Sequence, residues 1–105
     1  MKTVWEDPAL EQLGEVADYI GDKFGERRED VFLDEVRHVV NLLEYNPYMG
    51  ALDPLLVGRS ESYRSVLVNK LNKMVYYVDE NNETIHIAAF WDCRREPLRQ
   101  TEHLN

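Results

Sequence analysis

The side chains here whose types and spacing could do chemistry are arginines and tyrosines in the last third of the chain. Arg64 opens one apolar run, Tyr76 and Tyr77 sit inside the next, and Arg94 and Arg95 follow a third, with Arg59, Lys70 and Lys73 close by in sequence. A guanidinium is a planar fork that grips phosphate or carboxylate through paired N–H donors. Tyrosine rings stack on bases, and a phenol can help move a proton at a 2′-hydroxyl. The set suits RNA or another anionic macromolecule. In an alternating strand Arg64 shares a face with Val66 and Val68, which look core-facing, while Tyr63, Ser65 and Leu67 share the other. Arg64 is therefore expected in a structural ion pair or an exposed groove. Arg94 and Arg95 leave the third run at the sheet edge, either as solvated end charges or as an anion fork.

Other chemistries find little support. There is no glycine-rich phosphate loop, no paired cysteine and no metal-type histidine spacing, so no cofactor and no metal are expected. His38, His86 and His103 are scattered and read as surface or lightly buried side chains. Cys93 reads as an inert small residue, although Arg94 and Arg95 beside it could depress its pKa.

The elements that must position these residues can be read from hydrophobic spacing. Residues 62–68, 74–78 and 84–91 are rich in Val, Ile, Tyr, Phe and Trp and read as strands. The polar connections 69–73 and 79–83 are too short for a parallel return, so the runs form an antiparallel meander. Residues 2–6 suggest an edge or added strand. Asp7 and Pro8 suit a helix start, with Asp7 as the cap. Leu10, Leu13, Ala17, Ile20 and Phe24 then lie on one helical face as far as Gly25, a left-handed stop. A second helix over 26–45 carries the stripe Phe32, Val36, Val39 and Leu43, and Asn46-Pro47 ends it. The two helices form an antiparallel hairpin on one face of the sheet, giving an α+β fold. The connector 51–61 reads as irregular. Its Leu52, Leu55, Leu56 and Val57 are expected to pack on the helices or to contact a partner.

At 105 residues the chain is expected to be one domain, residues 1–105. Hydrophobic residues make up 44%, enough for a packed core rather than a disordered chain. No apolar run approaches the roughly 20 residues of a membrane span, and the N-terminus lacks a signal-peptide core, so a cytoplasmic location is expected. A single cysteine fits a reducing compartment. The net charge of −8 comes from residues 1–58, which hold 13 acidic and 5 basic side chains, whereas residues 59–105 balance 7 against 7. An acidic whole disfavours nonspecific nucleic-acid binding, and the C-terminal part is where a local basic site belongs.

The order of elements, with Asn46-Pro47-Tyr48-Met49-Gly50 after the second helix, Tyr63-Arg64 opening a strand, Tyr76-Tyr77 inside the next, and Arg94-Arg95-Glu96-Pro97 after the last, resembles the RelE/ParE family of type II toxin–antitoxin toxins, which includes plasmid stabilisation proteins. The resemblance implies a RelE-like fold, a cognate antitoxin as partner, and growth inhibition in one of two ways. RelE-like members are ribosome-dependent mRNA endoribonucleases that need no metal. ParE-like members inhibit DNA gyrase by binding. For a nuclease the resemblance puts Arg64 on the scissile phosphate and Arg94 or Arg95 at the basic tail position, and a tyrosine, Tyr77 or Tyr76, would complete the catalytic set. Asp92 stands where a histidine is often found, which removes an expected general acid and, with the acidity, tilts the reading toward ParE-like inhibition. A third possibility is a degenerate, non-toxic member that still binds antitoxin. The antitoxin surface is expected to include Leu52, Leu55, Leu56, Arg59, Arg64, Arg94 and Arg95.

Overall fold

An acidic residue and a proline both suit the first turn of a helix, where backbone N–H groups lack partners. In the computed structural model, which describes residues 1–94, helix α1 accordingly spans Asp7–Phe24 and α2 spans Glu26–Tyr45. Glu6 rather than Asp7 takes the capping position, and no side chain caps that end. Gly25 separates the helices with φ of 95°, a backbone conformation that costs glycine nothing. On α2 the residues Phe32, Val36, Val39 and Leu43 are all buried, as their spacing requires.

The buried face of α1 is rotated from the expected one. Ala9 and Ala17 are buried and Leu13, Val16 and Ile20 pack beside them, while Leu10 and Phe24 are about half exposed. Alanines at 9 and 17 let the helix approach the sheet closely. A stripe traced mainly through large side chains overlooks the first of them.

Five strands form one sheet in the order β1-β5-β4-β3-β2, with β1 at Lys2–Trp5, β2 at Ala51–Leu52, β3 at Arg64–Leu67, β4 at Asn72–Asp79 and β5 at Thr84–Asp92. The expected meander is β3-β4-β5, with the paired region of β4 longer than its apolar run. The N-terminal strand adds to β5 in parallel, Lys2 opposite Thr84 and Trp5 opposite Ile87. The connector is less irregular than expected. Its first residues form β2, with Ala51 opposite Ser65 and Leu52 opposite Arg64.

A bulge divides β5. Val75 pairs with Ala89 but Tyr76 pairs with Ile87, so Ala88 is an extra residue on β5. Side chains alternate with period two, so one extra residue exchanges the faces beyond it. Ile85, Ile87 and Phe90 therefore all reach the helix-side core, with Met74 and Tyr76 of β4. Ala88, Ala89 and Trp91 join Val75, Tyr63 and Leu56 on the outer face.

That outer face is covered by the connector, not left to solvent. Leu56, in the 3-10 turn Pro54–Leu56, is 2% exposed and packs there, on the side away from the helices. Asp53 fixes the turn: its carboxylate accepts the Leu55 N–H at 2.9 Å and Lys73 Nζ at 2.8 Å. Burial would push the Asp53 carboxyl up, but these donors outweigh it and hold the group below its ordinary value. Each large apolar side chain in either layer contributes roughly 1.5–3 kcal/mol of burial. No helix among the described residues is long and apolar enough to cross a membrane.

Candidate functional site

Proline at position 47 ends α2, and the chain must then turn sharply to reach β2. Tyr76, fully buried on the helix side of β4, holds that turn. Its hydroxyl donates to the Pro47 carbonyl at 2.8 Å and accepts the Gly50 N–H at 3.0 Å. Burial raises its pKa, so the phenol stays protonated and the donated bond persists. A Cβ at Gly50 would lie 2.6 Å from the Ser65 carbonyl oxygen and 2.9 Å from Tyr76 Oη, so only glycine fits without a shift. The residues of the Asn46-Pro47-x-x-Gly50 motif thus build a clamp.

The clamp aims one carbonyl at Arg64. Arg64 Nη1 donates to the Gly50 oxygen at 2.8 Å, and the Tyr48 ring lies over the guanidinium, 5.1 Å from its centroid to Cζ. Tyr48 Oη in turn donates to a Glu80 carboxylate oxygen, which raises the phenol's pKa. Arg64 is half-buried, and among the described residues no carboxylate forms an ion pair with it. The expected ion pair is replaced by a backbone carbonyl and an aromatic cover.

The other candidates are not gathered around Arg64. Arg64 lies opposite Tyr76 and shares the helix side, whereas Tyr77 is on the outer face. Tyr77 stacks on His86 with centroids 4.8 Å apart and an 11° tilt, and its hydroxyl donates to Glu6 at 3.0 Å. Burial first, then that hydrogen bond, push its phenol far above the ordinary tyrosine value. Glu6 and Asp79 flank the His86 ring nitrogens at 4.0 and 3.8 Å.

Arg94 lies at the far end of β5, past Asp92, which pairs with Asn72. From Asn72 to the partner of Arg64, Tyr76, is roughly 13 Å along β4 at about 3.3 Å per residue. The Arg94 guanidinium engages Asp92 through Nε at 3.0 Å and Nη2 at 2.8 Å, and its backbone N–H bonds the same carboxylate at 2.8 Å. This raises the arginine's pKa. Arg95 lies outside the described residues. The thiol of Cys93 is pushed up, chiefly by desolvation, against a smaller lowering by Lys73.

Of the expected partner-binding residues, Leu52 and Leu55 are exposed at the β2 edge and in the 3-10 turn. Leu56 is buried in the outer layer and cannot meet a partner. Arg59 lies beyond that turn, half-buried and close enough to Tyr63 to lower its pKa against the larger raising effect of burial. Among the described residues no cluster of His, Cys, Asp and Glu could hold a metal.

A surface not anticipated from the sequence lies on the other side of the helix pair. A groove of about 980 Å³ runs between the helices, residues 69–72 and the end of β5. Val16, Ile20 and Phe32 line its floor, and the half-exposed Phe24, Val31 and Leu71 its rim. Glu15, Glu35, Arg28, Lys70 and Arg94 add charges of both signs. The available signal was weak: Phe24 fits a core stripe by spacing, and Leu71 is one apolar residue in a polar connector.

The family model for the ParE toxin of the type II toxin–antitoxin system parDE matches residues 3–97. No curated protein matches the chain. Among solved structures, the chromosomal ParDE toxin–antitoxin system from P. aeruginosa superposes with a TM-score of 0.69 at 17% identity, covering 88% of this chain and 95% of that one. A YoeB/ParE toxin from Agrobacterium tumefaciens gives 0.60 at 15% identity, covering 88% and 98%. The YoeB dimer from Staphylococcus aureus gives 0.56 at 16% identity, covering 85% and 92%. At such identities these likenesses speak for the two-helix, five-stranded fold, and the match over 3–97 speaks for descent. The chain belongs to the ParE family of type II toxin–antitoxin toxins.

Proposed function

We propose that the chain is a toxin neutralised by a cognate antitoxin, and that it inhibits DNA gyrase by binding, in the cytoplasm, without catalysis. The observation that carries this reading is the dispersal of the nuclease candidates. Acid–base cleavage needs its groups within hydrogen-bond reach of one reacting phosphate. Arg64 and Tyr77 face opposite sides of the sheet, Tyr76 beside Arg64 is fully buried with its hydroxyl committed to Pro47 and Gly50, and Arg94 is engaged by Asp92 at the far end. The net charge of −8 also opposes a phosphate-rich target. Binding a protein asks only for a surface, and the turn bearing Tyr48, with Arg64 of β3 under it and Leu52 beside Arg64, supplies one. The antitoxin lays an amphipathic helix in the groove rimmed by Phe24, Val31 and Leu71.

Ribosome-dependent mRNA cleavage is the second reading, favoured by Arg64 having no carboxylate partner among the described residues. The test is induction of the chain in cells with mapping of mRNA 5′ ends, beside a gyrase supercoiling assay with purified protein. The expected result is blocked supercoiling with intact mRNA, and loss of the block in Arg64→Ala. New codon-phased 5′ ends that vanish with Arg64→Ala overturn gyrase in favour of the nuclease. Neither effect identifies a degenerate, non-toxic member.

A further inference from the structure

Asn72 opens β4 and alternates with Met74 and Tyr76, so its side chain lies on the helix side of the sheet. It is 6% exposed and forms part of the wall of the groove. Its main chain is committed, with the N–H donating to Asn69 Oδ1 at 3.0 Å and the carbonyl accepting the Val68 N–H at 3.0 Å. Its carboxamide has no hydrogen-bond partner among the described residues. Gln12 lines the same groove. Its Oε1 accepts the Phe90 N–H at 2.8 Å, which leaves its amide NH2 as a second donor without a partner among the described residues. A buried amide that makes no hydrogen bond costs free energy, so an apolar side chain at position 72 would suit the free protein better. The cost is recovered when an occupant of the groove supplies the bond.

Charge and shape select the occupant. Glu15 and Glu35 line the groove equally far from Gly25, ten residues each along their helices, so they stand level about 15 Å from the hairpin tip. Arg28 lines it close to the tip. None of the three has an ion-pair partner among the described residues. The glutamates repel a nucleic acid, and an acyl chain leaves the charges and both amides unmatched. A protein segment with both signs meets all of them. Along α1 the groove presents Gln12, Val16 and Ile20 at spacings of four, a ridge that a third helix packs against. We infer that Asn72 sets the specificity of the groove, which takes a partner helix carrying one carboxamide, Asn or Gln, among its apolar residues, with an acidic side chain toward Arg28 and a basic one toward Glu15 and Glu35. A carboxamide offers a donor and an acceptor at once, as the Asn72 amide does. A helix with leucine there leaves both Asn72 groups buried and unpaired, so the polar pair rejects merely apolar helices and fixes the register. The helix belongs to the cognate antitoxin, so this specificity rests on the function proposed above.

The experiment separates the chain from its co-expressed antitoxin, titrates the two by calorimetry, and follows solvent exchange of the Asn72 side-chain NH2 by NMR in the free and bound chain. Wild type is compared with Asn72→Leu, which removes the amide at similar volume, and with Val31→Glu on the groove rim. Expected are protection of the Asn72 NH2 on binding and about tenfold weaker binding by Asn72→Leu, the worth of one desolvated hydrogen bond. Asn72→Leu is expected to melt at or above wild type. A clear fall in its melting temperature shows a structural role for Asn72 and overturns the specificity. Binding by Asn72→Leu as tight as wild type, while Val31→Glu binds weakly, overturns the role of Asn72 and leaves the antitoxin in the groove. Wild-type binding by both variants removes the antitoxin from the groove, and both readings fall. Protection of the Asn72 NH2 in the chain alone also overturns the antitoxin as occupant, in favour of a second copy where protection depends on concentration and of residues 95–105 where it does not. Failure of any co-expressed antitoxin to copurify removes the partner and the specificity with it.

Discussion

Tyr76 Oη accepts the Gly50 N–H at 3.0 Å from a side chain with no exposed surface. The same oxygen donates to Pro47, so one atom fixes both ends of the turn that orients Arg64. Tyr76→Phe leaves a buried N–H and carbonyl without partners and is expected to cost about 2 kcal/mol, read as a fall of roughly 10 °C in melting temperature. The gyrase inhibition proposed above should weaken as well, because Gly50 no longer holds the guanidinium.

Gly50→Ala tests the clamp from the other side. The added methyl meets the Ser65 carbonyl at 2.6 Å, and backbone of a paired strand gives way reluctantly. A loss of about 1–3 kcal/mol is expected in urea unfolding. Gly14→Ala, where nothing lies within 4 Å, serves as the control and should stabilise.

Asp53 and Lys73 should give the fold a specific acid sensitivity. The folded carboxyl is depressed below its ordinary value of 3.8, so the unfolded chain takes up this proton first. The pair therefore contributes fully above about pH 4, and the contribution is lost as the pH falls through the depressed folded value. Asp53→Asn leaves Lys73 without its partner and is expected to be about 3 kcal/mol less stable at neutral pH. Its stability should also fall less steeply in acid, measured by urea unfolding between neutral pH and about pH 3.

The groove yields a binding prediction. Val31 is half exposed on its rim, so Val31→Glu should leave the melting temperature unchanged within about 2 °C. A charge in the apolar contact should reduce copurification of the co-expressed antitoxin at least roughly tenfold, the effect of losing one well-packed anchor. Leu56→Glu should instead unfold the protein, because Leu56 belongs to the outer core.

Much of this fold was legible in the residues. The stripe Phe32, Val36, Val39, Leu43 and the three C-terminal runs carry periods that physics reads directly. What was hidden depends on contacts distant in sequence. Nothing local shows that Ala88 is an extra residue, yet it sends Trp91 to the face opposite the one that Ile85 and Ile87 predict. The destination of Leu56 was equally hidden, since it depends on the buried Asp53–Lys73 pair across 20 positions. At the site, alternation placed Arg64 correctly on the face of Val66. It could not separate Arg64 from Arg94, because proximity at a sheet end is set by register, which sequence spacing does not carry.

The parallel pairing of β1 with β5 joins residues 2–5 to residues 84–87, nearly the full length of the described chain. A nascent chain therefore carries its first strand through synthesis of both helices and most of the sheet before that strand finds its neighbour. The sheet cannot close early, and this closure carries the loop entropy of a pairing more than eighty residues apart, at ~(3/2)RT ln n. Timing follows from topology: any activity that needs the finished sheet is withheld until residues 84–92 have been made, an interval in which both helices are already complete.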